Sequence, residues 1–174
     1  WSRWAYNDIP TGLIEAYQAI RPSGVLEDLS QERNARVASR IENDLFRAAA
    51  RQVLANPETY GNMSPHAWLS LVAAGKAIGE PEYSREVRRR LQAFLETRFF
   101  YDGAWMEGSP SYHGQIQESL DRLGKELDGQ AGSEAAGGML ARSREALGKL
   151  RLPDGRLVPV HDTWHYDKTG ALAE

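Results

Sequence analysis

The sequence contains no cysteine. Disulfide frameworks, thiolate nucleophiles and Cys-based zinc or iron–sulfur sites are therefore excluded together, while the redox compartment stays open because exported proteins also do without cysteine. No apolar run approaches the roughly 20 residues of a membrane-spanning helix, so no membrane partner is expected. The opening segment WSRWAYNDIP has neither an initiator Met nor the apolar stretch of a signal peptide, and the chain reads as trimmed. An excess of positive charge is missing too: 21 Lys and Arg stand against 24 Asp and Glu, a net charge of -3. Without a broad basic footprint, nucleic acid is disfavoured as a partner. An anionic substrate is not, because a cleft on a mildly acidic protein can be locally positive. Finally, no fixed-period repeat recurs, which weakens a regular helical-repeat solenoid but not a helical toroid built from divergent hairpins.

What is present is an ordinary globular composition, 41% hydrophobic and 26% charged over 174 residues. A chain of this length buries roughly 70% of the surface its unfolded form exposes, so no disulfide or structural metal is needed to hold it. Leu13, Ala16, Tyr17 and Ile20 have the spacing of one helix face, with Pro10 and Thr11 as the start. After Pro22-Ser23-Gly24, the spacing of Val37, Ile41, Leu45, Ala49 and Val53 predicts one long helix over 30–55, ended by Asn56-Pro57. Ser64-Pro65 starts a third helix that runs through Trp68, Leu69, Val72 and Ile78 to Gly79. Pro81 opens a fourth with Val87, Leu91, Phe94 and Leu95 inward and Arg88-Arg89-Arg90 in solvent. Ser109-Pro110 starts a fifth carrying Ile116, Leu120, Leu123 and Leu127. A sixth runs from about Glu134 to Leu150, and Pro153-Asp154-Gly155 then turns a short hairpin or extended stretch. The predicted fold is all-α, of antiparallel helical hairpins over 1–150, with 151–174 as an extended segment or linker.

The residues suited to chemistry gather in three interhelix segments: GNMSPHAW at 61–68, DGAWMEGSPSYH at 102–113 and PVHDTWHYD at 159–167. They hold all four histidines, and loops carry function more often than helices do. Asn62 and His66, Glu107 with Tyr112 and His113, and His161, Asp162 and His165 can each donate a hydrogen bond or move a proton.

In that order the segments GNMSP, FFYDGAWMEGSPSYH and LVPVHDTW resemble the helical domain of the heparinase II/III-like polysaccharide lyases. The sharpest element is DG-x-W-x-EGSPSYH, with its paired Tyr112-His113, and the likeness covers most of the chain from about Pro10. It implies an incomplete α/α toroid followed by a β-sandwich domain. A sandwich needs on the order of 100 residues, so the chain is expected to be a fragment whose last segment leads to a β-sandwich in cis. The resemblance further implies a periplasmic or secreted enzyme that degrades an acidic polysaccharide or oligosaccharide, such as a glycosaminoglycan or alginate, without a metal or cofactor.

Such enzymes cleave at a uronic acid by β-elimination. The C5 proton is weakly acidic because the adjacent carboxylate resists further charge. By resemblance, Asn62 binds and neutralises that carboxylate, and Tyr112 returns a proton to the leaving glycosidic oxygen. A free tyrosine, with a pKa of about 10, is a poor base at neutral pH. By resemblance Tyr112 is itself the base for one sugar epimer, provided cationic neighbours lower that value; a histidine is the alternative, although Met63 stands where some relatives have one directly after the Asn position. His161, His113 and His66 compete for the base role. Trp105 is a candidate for stacking on sugar rings, with Tyr101 and Trp164. Each candidate also has a plain alternative: a core tyrosine at 112, a loop asparagine at 62, a bracing histidine at 113 or 161, a packed Trp105.

Two other functions fit the same residues. Glu107 with Asp102 or Asp162 supplies the two carboxylates of a glycoside hydrolase, and α/α toroids host such enzymes. A non-catalytic relative that only binds polysaccharide would keep the aromatic residues alone. The Tyr-His pair favours the lyase. The three segments are expected to converge at one end of the helical body.

Overall fold

The computed structural model describes residues 11–55, 61–127 and 134–163. Pro10, Asn56, Pro57, Trp164 and His165 lie outside the described residues. The described elements are helical: α1 (Thr11–Ile20), a 3-10 turn (Arg21–Ser23), α2 (Val25–Glu32), α3 (Val37–Arg40), a π-helical turn (Ile41–Arg47), α4 (Ala48–Ala55), α5 (Ser64–Ile78), α6 (Pro81–Thr97), α7 (Pro110–Glu126) and α8 (Glu134–Lys149). Among the described residues extended pairing is limited to two isolated antiparallel bridges, Phe99 with Trp105 and Arg151 with Leu157. The all-α expectation is met at this level.

The chain divides into two compact units, one of Trp1–Thr59 with His66–Val87, the other of Tyr60–Pro65 with Arg88–Glu174. The division falls inside α6.

In the first unit the predicted single helix over 30–55 is replaced by two. α2 starts at Val25, with Glu27 and Asp28 in its first turn where the helix dipole favours negative charge. It stops at Arg33, and Asn34 turns the chain in the left-handed region at φ 46°. Ser30 fixes the corner: its Oγ donates to the Leu26 carbonyl at 2.5 Å and accepts the Val37 amide at 3.0 Å. From Val37 to Ala55 the helix is continuous but contains the π-helical turn, which resets its inward face. Counting four residues on from Ile41 gives Leu45, yet Leu45 is 40% exposed and Phe46 is fully buried. The extra residue per π turn moves the inward position on by one, and Ala50 and Val53 continue from Phe46.

The core of this unit is Ile14, Tyr17, Leu26, Phe46, Ala74, Ala77 and Ile78. In α1 the inward pair is Ile14 and Tyr17, whereas Leu13 and Ile20, predicted on the buried face, are exposed. Tyr17 meets Phe46 edge-on at 5.2 Å and donates its hydroxyl proton to Glu42 at 2.5 Å. Arg21 and Arg47 flank the same carboxylate at 3.4 and 3.6 Å, and Arg47 also reaches Glu80 at 3.0 Å. Burial, and after it the hydrogen bond to Glu42, push the Tyr17 phenol up to about 12.

In the second unit Leu91, Phe94 and Leu95 of α6 are buried, as the spacing predicts. Arg90 is buried with them, against the expectation of a solvated basic run, because it stands four residues before Phe94 and so shares its face. Arg88 donates to the carbonyl of Leu127 at 3.4 Å, placing positive charge at the end of α7. Ile116, Leu120, Leu123 and Leu127 form the buried stripe of α7, which packs against α8.

Candidate functional site

Residues 61–65, 99–113 and 150–163 all fall in the second unit, while His66 falls in the first. In the first of these segments the Gly61 amide donates to Ser64 Oγ and the Ser64 amide to the Gly61 carbonyl, both at 3.0 Å. The closed turn presents Asn62, half-buried, and Met63, exposed, at its tip just before α5.

The second segment is built on an aromatic cluster. Phe94 stacks on Trp105 with centroids 5.5 Å apart, and Phe99 meets Phe94, Trp105 and His113 edge-on at 5.8, 5.4 and 6.0 Å. Trp105 is 1% exposed, so it has no face to offer a sugar ring. That corrects its assignment to a subsite: the residue that closes the Phe99 bridge is needed inside. The aromatic side chains this loop does present are Phe100 and Tyr101, 52% and 91% exposed. They sit on a tight turn held by the Phe100 amide on the Ala104 carbonyl, the Gly103 amide on the Phe100 carbonyl, and Asp102 Oδ1 accepting the Ala104 amide at 3.0 Å. Glu107, Asp102 and Asp162 are exposed.

Ser109 is the N-cap of α7 with extended backbone, φ -92° and ψ 116°, and Pro110 follows at the first helical position. Tyr112 is therefore on the first turn, half-buried, where the helix dipole favours a developing negative charge. The Ser109 hydroxyl makes no capping bond; it meets the hydroxyls of Ser111 at 3.1 Å and Thr163 at 3.2 Å instead.

His113, one residue further, points into the core and is 1% exposed. Its Nε2 is 2.9 Å from Ser143 Oγ on α8. Ser143 gives its single hydroxyl proton to Gln117 Oε1 at 2.6 Å, and Gln117 Nε2 donates to Asp121 at 2.8 Å. Arg144 Nη2 closes the chain on the same carboxylate oxygen at 2.6 Å. Since Ser143 has no second proton, the imidazole must donate, so His113 is the Nε2–H tautomer. Its Nδ1 has no hydrogen-bond partner. Burial pushes the His113 pKa below its ordinary value, opposed by the backbone of Ser143 and by the Asp102 carboxylate.

The third segment starts as a small hairpin: Leu152 and Val158 amides donate to the Arg156 and Leu150 carbonyls at 2.8 and 3.0 Å. Asp154 accepts the Arg156 amide at 3.0 Å and pairs with its guanidinium at 2.7 Å. The chain then reaches Val160–Thr163, where His161 adopts φ 51° and remains exposed. The imidazole of His161 lies against Gly108, immediately before the N-cap of α7.

The structure thus brings the segments of Asn62, Tyr112 and His161 into one compact unit, with His161 and Tyr112 both at the start of α7. Gly108, Ser109, Gln117, Ser143 and Thr163 were not singled out from the sequence. Ser109 was legible only as a helix cap, and nothing local ties it to Thr163, 54 residues on. Among the described residues no group of three or more His, Cys, Asp or Glu is arranged to hold a metal ion, and no helix is long and apolar enough to cross a membrane. No protein-family model, curated protein or solved structure matches the chain.

Proposed function

We propose that the chain carries the catalytic helical part of a polysaccharide lyase that cleaves an acidic polysaccharide at a uronic-acid residue by β-elimination. The observation that carries the reading is the seat of the His161 imidazole on Gly108, at the beginning of the helix that holds Tyr112. In this reading the two amide N–H groups of Asn62 neutralise the substrate carboxylate as it takes up charge; removing one such donor costs roughly 10² to 10³ in rate. His161, an exposed residue, removes the C5 proton. The electron pair forms the C4–C5 double bond, the C4–oxygen bond breaks, and Tyr112 protonates the leaving oxygen. The fixed tautomer and burial of His113 suit a positioning role for the first turn of α7 rather than proton transfer. Tyr101, 91% exposed, is an aromatic residue available to a neighbouring sugar ring. His66 is assigned no role at the Tyr112 site. The toroid arrangement, a β-sandwich in cis and a periplasmic or secreted location belong to the same proposal.

Turnover tests it. The full-length protein, with its β-sandwich in cis, is offered alginate, heparan, chondroitin and other uronate polymers, and products are followed by the ultraviolet absorption of a 4,5-unsaturated uronate. Absorbing products support the lyase; new reducing ends without that absorption replace it with a hydrolase built on Glu107 and a second carboxylate. Binding with neither product makes the chain a polysaccharide-binding relative.

A further inference from the structure

We propose that Thr163 and Gly108 are positioning residues for His161, one tying down the turn that carries it and the other providing the surface on which its ring rests. The catalytic meaning of that position rests on the lyase reading; the position itself does not.

Thr163 is 7% exposed, although the three residues before it are exposed. Its Oγ1 lies 2.6 Å from the Val160 carbonyl, to which it donates its only proton. In the 3.2 Å contact with Ser109 Oγ, Thr163 is then the acceptor and Ser109 the donor, and Ser109 Oγ also lies 3.1 Å from Ser111 Oγ. The hydroxyl chain accordingly runs from Ser109 through Thr163 to the Val160 carbonyl. Ser109 and Ser111 are also buried, at 1% and 9% exposure, so a broken link is not readily replaced by solvent. The Val160 carbonyl accepts in addition the Thr163 amide at 3.2 Å, which closes a four-residue turn around His161 and Asp162. That closure holds His161 at φ 51°, a left-handed backbone that non-glycine residues rarely adopt.

Gly108 completes the arrangement. A Cβ at position 108 would lie 2.8 Å from His161 Nε2 and 3.0 Å from its Cδ2, and the backbone there has φ 73°. The imidazole occupies the space that any other residue would need. With Thr163 anchored to Ser109 and the ring against the preceding residue, the two contacts fix the turn and the ring to adjacent points of the chain at the start of α7.

The test compares Thr163→Val, which keeps the shape and removes the hydroxyl, with Thr163→Ser, which keeps the hydroxyl. A third variant, Gly108→Ala, leaves the hydroxyls in place and displaces the ring directly. The primary readout is independent of turnover: the rate at which diethyl pyrocarbonate modifies His161, located by peptide mass, and the imidazole Cε1–H chemical shift. Expected are a severalfold change in the His161 modification rate and a moved resonance in Thr163→Val and Gly108→Ala, with Thr163→Ser close to the parent. On a polymer the protein cleaves, kcat falls by about tenfold to 10² in the first two variants while KM stays within about twofold, since small misplacements of a reacting group have effects of that size. If modification rate and resonance are the same in all folded variants, the proposal is wrong. If they move as expected but the parent cleaves no uronate polymer, the positioning stands and the lyase reading falls. Should Thr163→Val fail to fold, Gly108→Ala alone decides.

Discussion

His113 donates its Nε2 proton to Ser143 across 30 residues of sequence, because Ser143 has already committed its own proton to Gln117. A buried imidazole locked as a neutral donor resists protonation, which makes acid the condition that should disturb α7. The folded pKa is depressed, so the unfolded chain binds the proton more readily. The resulting stability is present above the unfolded value of about 6.5 and is lost as pH falls through the folded value. Urea midpoints should decline on acidification below about pH 6.5. In His113→Leu the part of that decline due to residue 113 should vanish, even though the variant starts less stable because Ser143 loses a partner. An unchanged acid slope in the variant would show that the folded and unfolded chains protonate residue 113 alike, and that burial does not depress its pKa.

Tyr112→Phe separates chemistry from packing. Deleting the hydroxyl keeps the ring, so the fold should survive while turnover of a cleaved polymer drops by about 10² or more, the size of a general-acid contribution, with binding little altered. A merely structural tyrosine gives the opposite pattern, a loss of roughly 1 kcal/mol in stability with near-normal turnover.

The π-helical turn can be read out by two neighbouring substitutions. Phe46→Ala should cost about 3–5 kcal/mol, the usual loss for a fully buried phenylalanine, and Leu45→Ala about 1 kcal/mol or less. An uninterrupted α-helix predicts the reverse ranking, and chemical denaturation of both variants distinguishes them.

Gly103 and Gly155 share a backbone φ of 88°, but only the first meets neighbours: a Cβ there would overlap the peptide joining Arg142 to Ser143, while the second faces open space. Alanine at 155 should cost about 1 kcal/mol from conformation alone, and alanine at 103 at least about 1 kcal/mol more because α8 must move away. Equal losses on thermal or urea unfolding would mean that the loop is not pressed against α8.

The sequence by itself determined where most helices begin and end, because those signals are local: Ser64-Pro65, Pro81 and Ser109-Pro110 each open a helix at or beside the expected position. It also placed Leu91, Phe94, Leu120 and Leu123 inside, since regular helical periodicity survives in α6 and α7. It singled out Asn62, Tyr112 and His161 as candidates by residue type and order. Tertiary structure decided the rest. Periodicity cannot register a π turn, so the inward shift to Phe46 and the break before Val37 became visible only in the fold. Exposure of Tyr101 and enclosure of Trp105 depended on which aromatic residue packs on Phe94, an outcome of competition among neighbours of similar hydrophobicity. The tautomer of His113 and the seat of His161 depended on hydroxyls 30 and 54 residues from their partners. A hydroxyl has one proton to give, and where it goes is fixed only when the chain has brought the acceptor alongside.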